Sequence, residues 1–160
     1  MGYALFPLAV LMFFGGLISQ AQGLATSVIG AGPVGLAETR AAVVAESAIA
    51  YADACLETAT ANPGLTGGSI VARLPNGVAT PAGANCRIDA VAGGGRLVYA
   101  WAPIAPGAIS RIRNQSEGSS SWYFTSTAVG VASGIANGDV IPVPAEIPMW
   151  NVLYQAQVRP

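Results

Sequence analysis

No charged side chain precedes Glu38 in this chain of 160 residues. Within that stretch, Tyr3-Ala-Leu-Phe-Pro7-Leu-Ala-Val-Leu-Met-Phe-Phe14-Gly-Gly-Leu-Ile18 is an almost unbroken apolar run. Crossing a bilayer core takes about 20 helical residues. Extending the run through Ser19, Gln20, Ala21 and Gln22 reaches that length and sets the glutamines near an interface. In lipid each backbone polar group must find its partner inside the segment, so such a run must be helical. Pro7 falls in the first turns, where its missing N–H costs least. Gly15-Gly16 is tolerated in a membrane helix. The sequence therefore predicts a transmembrane anchor over residues 1–24, in contact with the bilayer through residues 3–22.

Two other readings of the same residues stay open. Ser19-Gln20-Ala21 is a small-x-small site, as in a cleaved signal peptide, although no Lys or Arg precedes the apolar core. A type IV pilin also begins with an apolar helix, but it carries Glu at the fifth mature position. Processing at Gly2-Tyr3 would put Pro7 there, and processing at Gly16-Leu17 would put Ala21 there. The anchor is preferred on these grounds. Neither flank is basic, so the positive-inside rule gives almost no orientation.

Residues 25–35 read as a Gly/Pro linker. They contain Gly30-Ala-Gly32-Pro-Val-Gly35, a G-x-G-x-x-G pattern. A dinucleotide site would need a strand before it, a helix after it, then a second strand ending in an acid. Leu36 to Ala61 instead reads as one helix, Ala-rich and free of Gly and Pro. Asp53 and Glu57 have roughly the right spacing, yet both sit inside that helix. Ala37, Ala41, Val44, Ala48, Tyr51 and Cys55 line one face at 4-3-4-3-4 spacing. Glu38, Glu46, Asp53 and Glu57 line another, which reads as a solvated face. Asn62-Pro63-Gly64 ends the helix.

Beyond residue 62, clusters of Gly, Pro, Ser and Asn separate short runs rich in Val, Ile and aromatics. The predicted strands are 69–74, 87–91, 96–102, 109–113, 121–125, 128–132 and 152–158. Val140-Ile-Pro-Val-Pro144 is extended, and its prolines confine it to an edge or loop. The predicted fold class is α+β: an N-terminal transmembrane helix, then a long amphipathic helix packed on an antiparallel β-sheet. Residues 36–160 are expected to form an extracytoplasmic domain. Core candidates are Ile70, Leu74, Ile88, Leu97, Tyr99, Trp101, Val129 and Leu153.

Chemistry is narrowly bounded. Charged residues are 9% of the chain, against roughly a quarter in average soluble domains. The mean hydropathy is +0.52. There is no His, the commonest general base and metal ligand near neutral pH. Two cysteines cannot furnish a four-ligand zinc site without His. Ser116-Glu-Gly-Ser-Ser-Ser121 has neither His nor Lys to activate a nucleophile. Net charge is -1 with no basic run, unlike a nucleic-acid-binding surface. Catalytic, cofactor-binding and metal sites are not expected, nor is a small-molecule ligand. Asn114-Gln-Ser116 fits a glycosylation acceptor, a pattern common by chance. Cys55 and Cys86 can form a disulfide stapling helix to sheet if the domain is extracytoplasmic, or remain two buried thiols.

The chain resembles the PilM family of small proteins from conjugative thin-pilus (type IVb pilus) systems. The features that carry this are Met1-Gly2-Tyr3 opening the apolar run, Ala61-Asn-Pro-Gly-Leu-Thr-Gly67 closing the helix, Gly94-Gly-Arg-Leu-Val-Tyr99, and the Ile-Pro elements near the end. The likeness implies a structural part of the type IV pilus biogenesis apparatus or basal body. It would be single-pass in the bacterial inner membrane, with a periplasmic domain and other pilus-assembly proteins as partners. It implies no catalysis. The alternative is a secreted or minor pilin-like binding module.

Overall fold

The structure, a computed structural model, describes residues 32–126 and 128–159. The expected anchor over 1–24 and residues 25–31 of the linker lie outside them. Two compact units divide between Thr39 and Arg40, and the sheet and its packing belong to the second, Arg40–Pro160.

Helix α1 spans Pro33–Ala61. It begins three residues before the expected Leu36, since Pro is favoured in a first helical turn, so Pro33–Gly35 belong to the helix and not to a linker. It runs uninterrupted to Ala61, and no strand occurs where the G-x-G-x-x-G reading would require one. At its C-terminus the Asn62 Nδ2 donates to Thr58 O at 2.8 Å and Leu65 N–H to Asn62 O at 3.0 Å. These bonds satisfy carbonyls that the helix end leaves without partners. Of the expected apolar stripe, Ala41, Ala48, Tyr51 and Cys55 are buried, while Ala37 is exposed. Ala45, Ala52 and Ala59 join them.

Six strands follow: β1 (Asn85–Ala90), β2 (Arg96–Pro103), β3 (Trp122–Thr125), β4 (Val131–Gly134), β5 (Val140–Pro142) and β6 (Asn151–Val158), with helix α2 (Ala108–Gln115) between β2 and β3. They make one antiparallel sheet in the order β1-β2-β6-β3-β4-β5. The α+β expectation holds for the described residues. The β1–β2 hairpin turns through Gly93-Gly94-Gly95, all at positive φ. A Cβ on Gly95 would stand 3.0 Å from Val158 O, so a side chain there would push on β6.

Side chains alternate between the two faces. Cys86, Ile88, Val98, Ala100, Ala102, Trp122 and Val152 join the buried residues of α1 and α2 in one core. Alanines on both sides let the helix approach the sheet closely, and a larger side chain there would overpack by about 1–3 kcal/mol. The Trp122 ring meets that of Tyr154 with centroids 5.1 Å apart at a tilt of 56°. The other face carries Tyr99, Trp101, Ala132 and Leu153, covered by Val143 and Ile147 from the β5–β6 connection.

The two sheet edges are closed differently. Gly67 exchanges backbone bonds with Ile88 at 2.8 and 2.9 Å, and Ile70 N–H donates to Cys86 O. This segment thus covers the outer edge of β1. At β5 the register pairs Val131 with Pro142, and Val143 N–H donates to Gly130 O. By alternation Pro142 faces outward, so the free edge lacks a donor there.

Three expectations fail. Residues 109–113 lie in helix α2 and not in a strand. Ala108 and Ile112, four apart, are its buried pair, a helical period that the β-branched isoleucines masked. Residues 69–74 form no strand of the sheet: only Gly67 and Ile70 bond to β1, and Ser69 has φ 54°. The strand expected at 128–132 begins at Val131, and Val129 is 59% exposed instead of in the core. Of the other core candidates, Ile88, Tyr99, Trp101 and Leu153 are buried, and Ile70, Leu74 and Leu97 partly so.

Candidate functional site

The register gives the Arg40–Pro160 unit two distinct ends. Thr125 pairs with Asn151, and Pro103 pairs with Asn151 from the other side. The end of β2, the end of β3 and the start of β6 therefore lie together at one pole. Arg40 and Val44 of α1 share an open groove of about 370 Å³ with Pro103 and Ile104, so the chain enters the unit at this same pole. At the opposite pole, Arg96 starts β2 and Val158 ends β6.

At the first pole a buried polar network holds the turn before β6. Thr125 and Asn151 are both buried. Thr125 Oγ1 lies 2.8 Å from Pro148 O and 3.1 Å from Asn151 O, and accepts the Asn151 N–H at 3.1 Å. Asn151 Nδ2 donates to Pro148 O and Met149 O. Asn151 Oδ1 is buried without a donor among the described residues. Trp150 N–H donates to Thr125 O, and Trp150 O accepts from Ile104 N–H at 3.4 Å.

The network fixes Trp150 at φ 63°, a left-handed conformation that a bulky residue rarely adopts. The indole nonetheless stays 64% exposed, its ring 6.0 Å from that of Phe124. Met149 and Val129 are exposed at the same pole. In sequence, residues 103–107, 126–130 and 147–150 carry no charged side chain.

The opposite pole is polar. Glu117, Asp139 and Arg159 are exposed there. Arg96 is 7% exposed, and its Nη1 donates to Asn62 O at 2.8 Å and Leu65 O at 3.3 Å. Its charge lies at the negative end of the α1 dipole. The Asn62-Pro63-Gly64 and Gly94-Gly95-Arg96 segments, remote in sequence, thus meet through this side chain.

Between the poles, Cys55 and Cys86 form a disulfide with Cα atoms 6.0 Å apart, within the usual span. It joins α1 to β1 inside the core. On the other face Arg87 pairs with Asp89 at 2.8 Å and Glu146 at 2.9 Å, fastening the β5–β6 connection across β1. Those hydrogen bonds hold the Arg87 guanidinium above its ordinary pKa. Burial pushes the phenols of Tyr51, Tyr99 and Tyr154 up.

Glu46, Asp53 and Glu57 are exposed on α1, and Ser119 and Ser120 in a surface loop. Asn114 and Gln115 close α2, followed by Ser116 at its C-cap. Among the described residues no three Cys, Asp or Glu side chains converge to hold a metal ion, and no helix is long and apolar enough to cross a membrane. Sequence reasoning missed Trp150. The hint was Pro148-Met-Trp-Asn151, an aromatic held between a proline and an Asn that can bond its own turn.

A family model described as PilM matches residues 18–154. The crystal structure of a PilM protein from Escherichia coli B7A superposes with a TM-score of 0.50 at 18% identity, covering 74% of this chain and 93% of that one. At that identity the likeness shows the fold. No curated relative matches. With most of its length matched, the chain belongs to the PilM family.

Proposed function

We propose that this protein is a membrane-anchored structural component of a type IV (conjugative thin) pilus biogenesis apparatus or basal body. It is single-pass in the bacterial inner membrane and holds its α+β domain in the periplasm against other pilus-assembly proteins. The reading starts from the pilus-related PilM family. The observation that carries it further is the joining of a charge-free apolar segment to a domain stapled by a disulfide. Disulfides persist in the periplasm and are rare in the cytosol. Catalysis is not part of the proposal, since the chain has no His or Lys to activate its serines.

Fractionation of cells producing the chain tests this. It should stay with membranes through an alkaline carbonate wash, and its cysteines should resist alkylation until reduced. An Arg at Val10 should release it, because a basic residue mid-span costs about 2.5–3.5 kcal/mol on insertion scales. A soluble periplasmic form starting near Gln22 would sink the anchored reading and favour the secreted binding module. Restoration of pilus assembly by an exported 36–160 fragment would do the same.

A further inference from the structure

We propose that the pole of the Arg40–Pro160 unit built from the uncharged loops 103–107, 126–130 and 147–150 rests on the bilayer interface, with Trp150 as its aromatic contact. This rests on the anchored reading above, and it assigns a surface that the reading leaves open.

The backbone at Trp150 carries the first argument. A residue at φ 63° is best made glycine. The chain instead places its bulkiest side chain there, fixes it with buried Thr125 and Asn151, and leaves it in the open. Strain of this kind collects at sites that bind. The second argument is the contrast in charge. The loops at this pole carry no charged side chain, whereas Glu117, Asp139 and Arg159 mark the other.

Connectivity supplies the third. The chain enters the unit at Arg40, in the groove shared with Pro103 and Ile104. Ile104 N–H is bonded to Trp150 O. Only residues 23–39 separate that point from the apolar segment 3–22. A unit joined by so short a tether stays within reach of the membrane. Indole suits the position: its rings enter the acyl boundary while Nε1–H reaches the headgroups. The Arg40 charge in the groove is basic and fits anionic headgroups.

The test uses the full chain in phosphatidylethanolamine/phosphatidylglycerol vesicles, with and without lipids brominated near the headgroup. Trp101 and Trp122 are buried, so quenchable emission reports Trp150. The expected result is loss of that emission to the brominated lipid and protection of it from aqueous acrylamide. Trp150→Gly should remove the lipid-quenchable component while the chain still floats with the vesicles. Emission quenched by acrylamide but not by brominated lipid, in a chain that floats, would overturn the inference and leave the anchor standing. Protection from both quenchers would also overturn it, by placing Trp150 against protein. Failure to float would remove the anchored reading and this inference with it.

Discussion

At the polar pole, buried Arg96 commits its guanidinium to Asn62 O and Leu65 O, carbonyls of the turn that follows α1. At the apolar pole, buried Thr125 and Asn151 hold a turn whose product is an exposed indole on strained backbone. Both poles bury polar groups, which costs stability unless partners are found. Arg96 offsets that cost by tying helix to sheet. The Thr125–Asn151 network offsets less of it, because Asn151 Oδ1 is left without a donor among the described residues and Trp150 buries little. On the proposal above, the difference separates a part of the molecule built for folding from one kept for contact. Mutations that act globally at one pole should act locally at the other.

The disulfide serves both poles and sets the largest effect. Cys86→Ala should lower stability by about 3–4 kcal/mol in the chain-entropy model for a loop of this length. Denaturant unfolding with and without reductant checks this. The wild type under reductant should fall to the level of the variant, which should itself be insensitive. Loss confined to one pole would contradict the placement of the bond at the centre of the core.

Arg96→Ala comes next. It removes charge-assisted bonds to two part-buried carbonyls and should cost about 2–3 kcal/mol, or about 10–20 °C in midpoint for a domain this size. Arg96→Lys should recover part of this, since an ammonium can reach a carbonyl but lacks the planar fork. The transition should remain cooperative and be the same by near- and far-ultraviolet circular dichroism. Local fraying of residues 58–65 alone would show that Arg96 is a surface clamp.

The elements that run between the poles were legible in the sequence, and the side chains that define each pole were not. Helix α1 announces itself through uninterrupted Ala-rich chain from Leu36 to Ala61 and the Asn62-Pro63-Gly64 stop. Strands β2, β3 and β6 carry enough Val, Leu and aromatic residues to be placed within a residue or two. Short segments failed where local preference and tertiary packing disagree. Ile109 and Ile112 favour a strand by type, but Ala108 and Ile112 are buried at helical spacing after the left-handed Gly107. Val129 fell out of the core because β4 starts only at Val131 and Val129 lies in the turn before it. Trp150 was invisible for a related reason. An aromatic residue next to a strand reads as core, and only the Thr125–Asn151 bonds, across 26 residues, turn it outward.

Thr125→Val should separate the poles. It keeps the shape of the side chain but removes the bonds to Pro148 O and the acceptor for Asn151 N–H. The expected cost is about 1–2 kcal/mol, that of one or two buried neutral hydrogen bonds. Amide exchange should quicken at Met149–Asn151 and in β3, while the amides of Leu65 and Gly67 at the other pole keep their protection. Uniform acceleration across the sheet would mean that the network is part of the global core and not a local support for the turn.

Trp150→Gly should have the smallest effect on folding, and that near-silence is its value. Left-handed backbone costs a bulky L-residue about 1–2 kcal/mol, and glycine is free of it. The loss on the other side is the ring contact with Phe124 at 6.0 Å, about 0.5–1.5 kcal/mol for an aromatic pair. Little further burial is lost, because the indole is mostly exposed. The two effects offset, so the thermal midpoint should move by no more than about 4–8 °C, the shift that corresponds to 1 kcal/mol in a small domain. A drop well beyond that would show that Trp150 supports the fold, and the contrast between the poles would fail. A midpoint held steady, with loss of pilus assembly in cells, would place the residue's worth outside the folded unit, at the surface it is held out to meet.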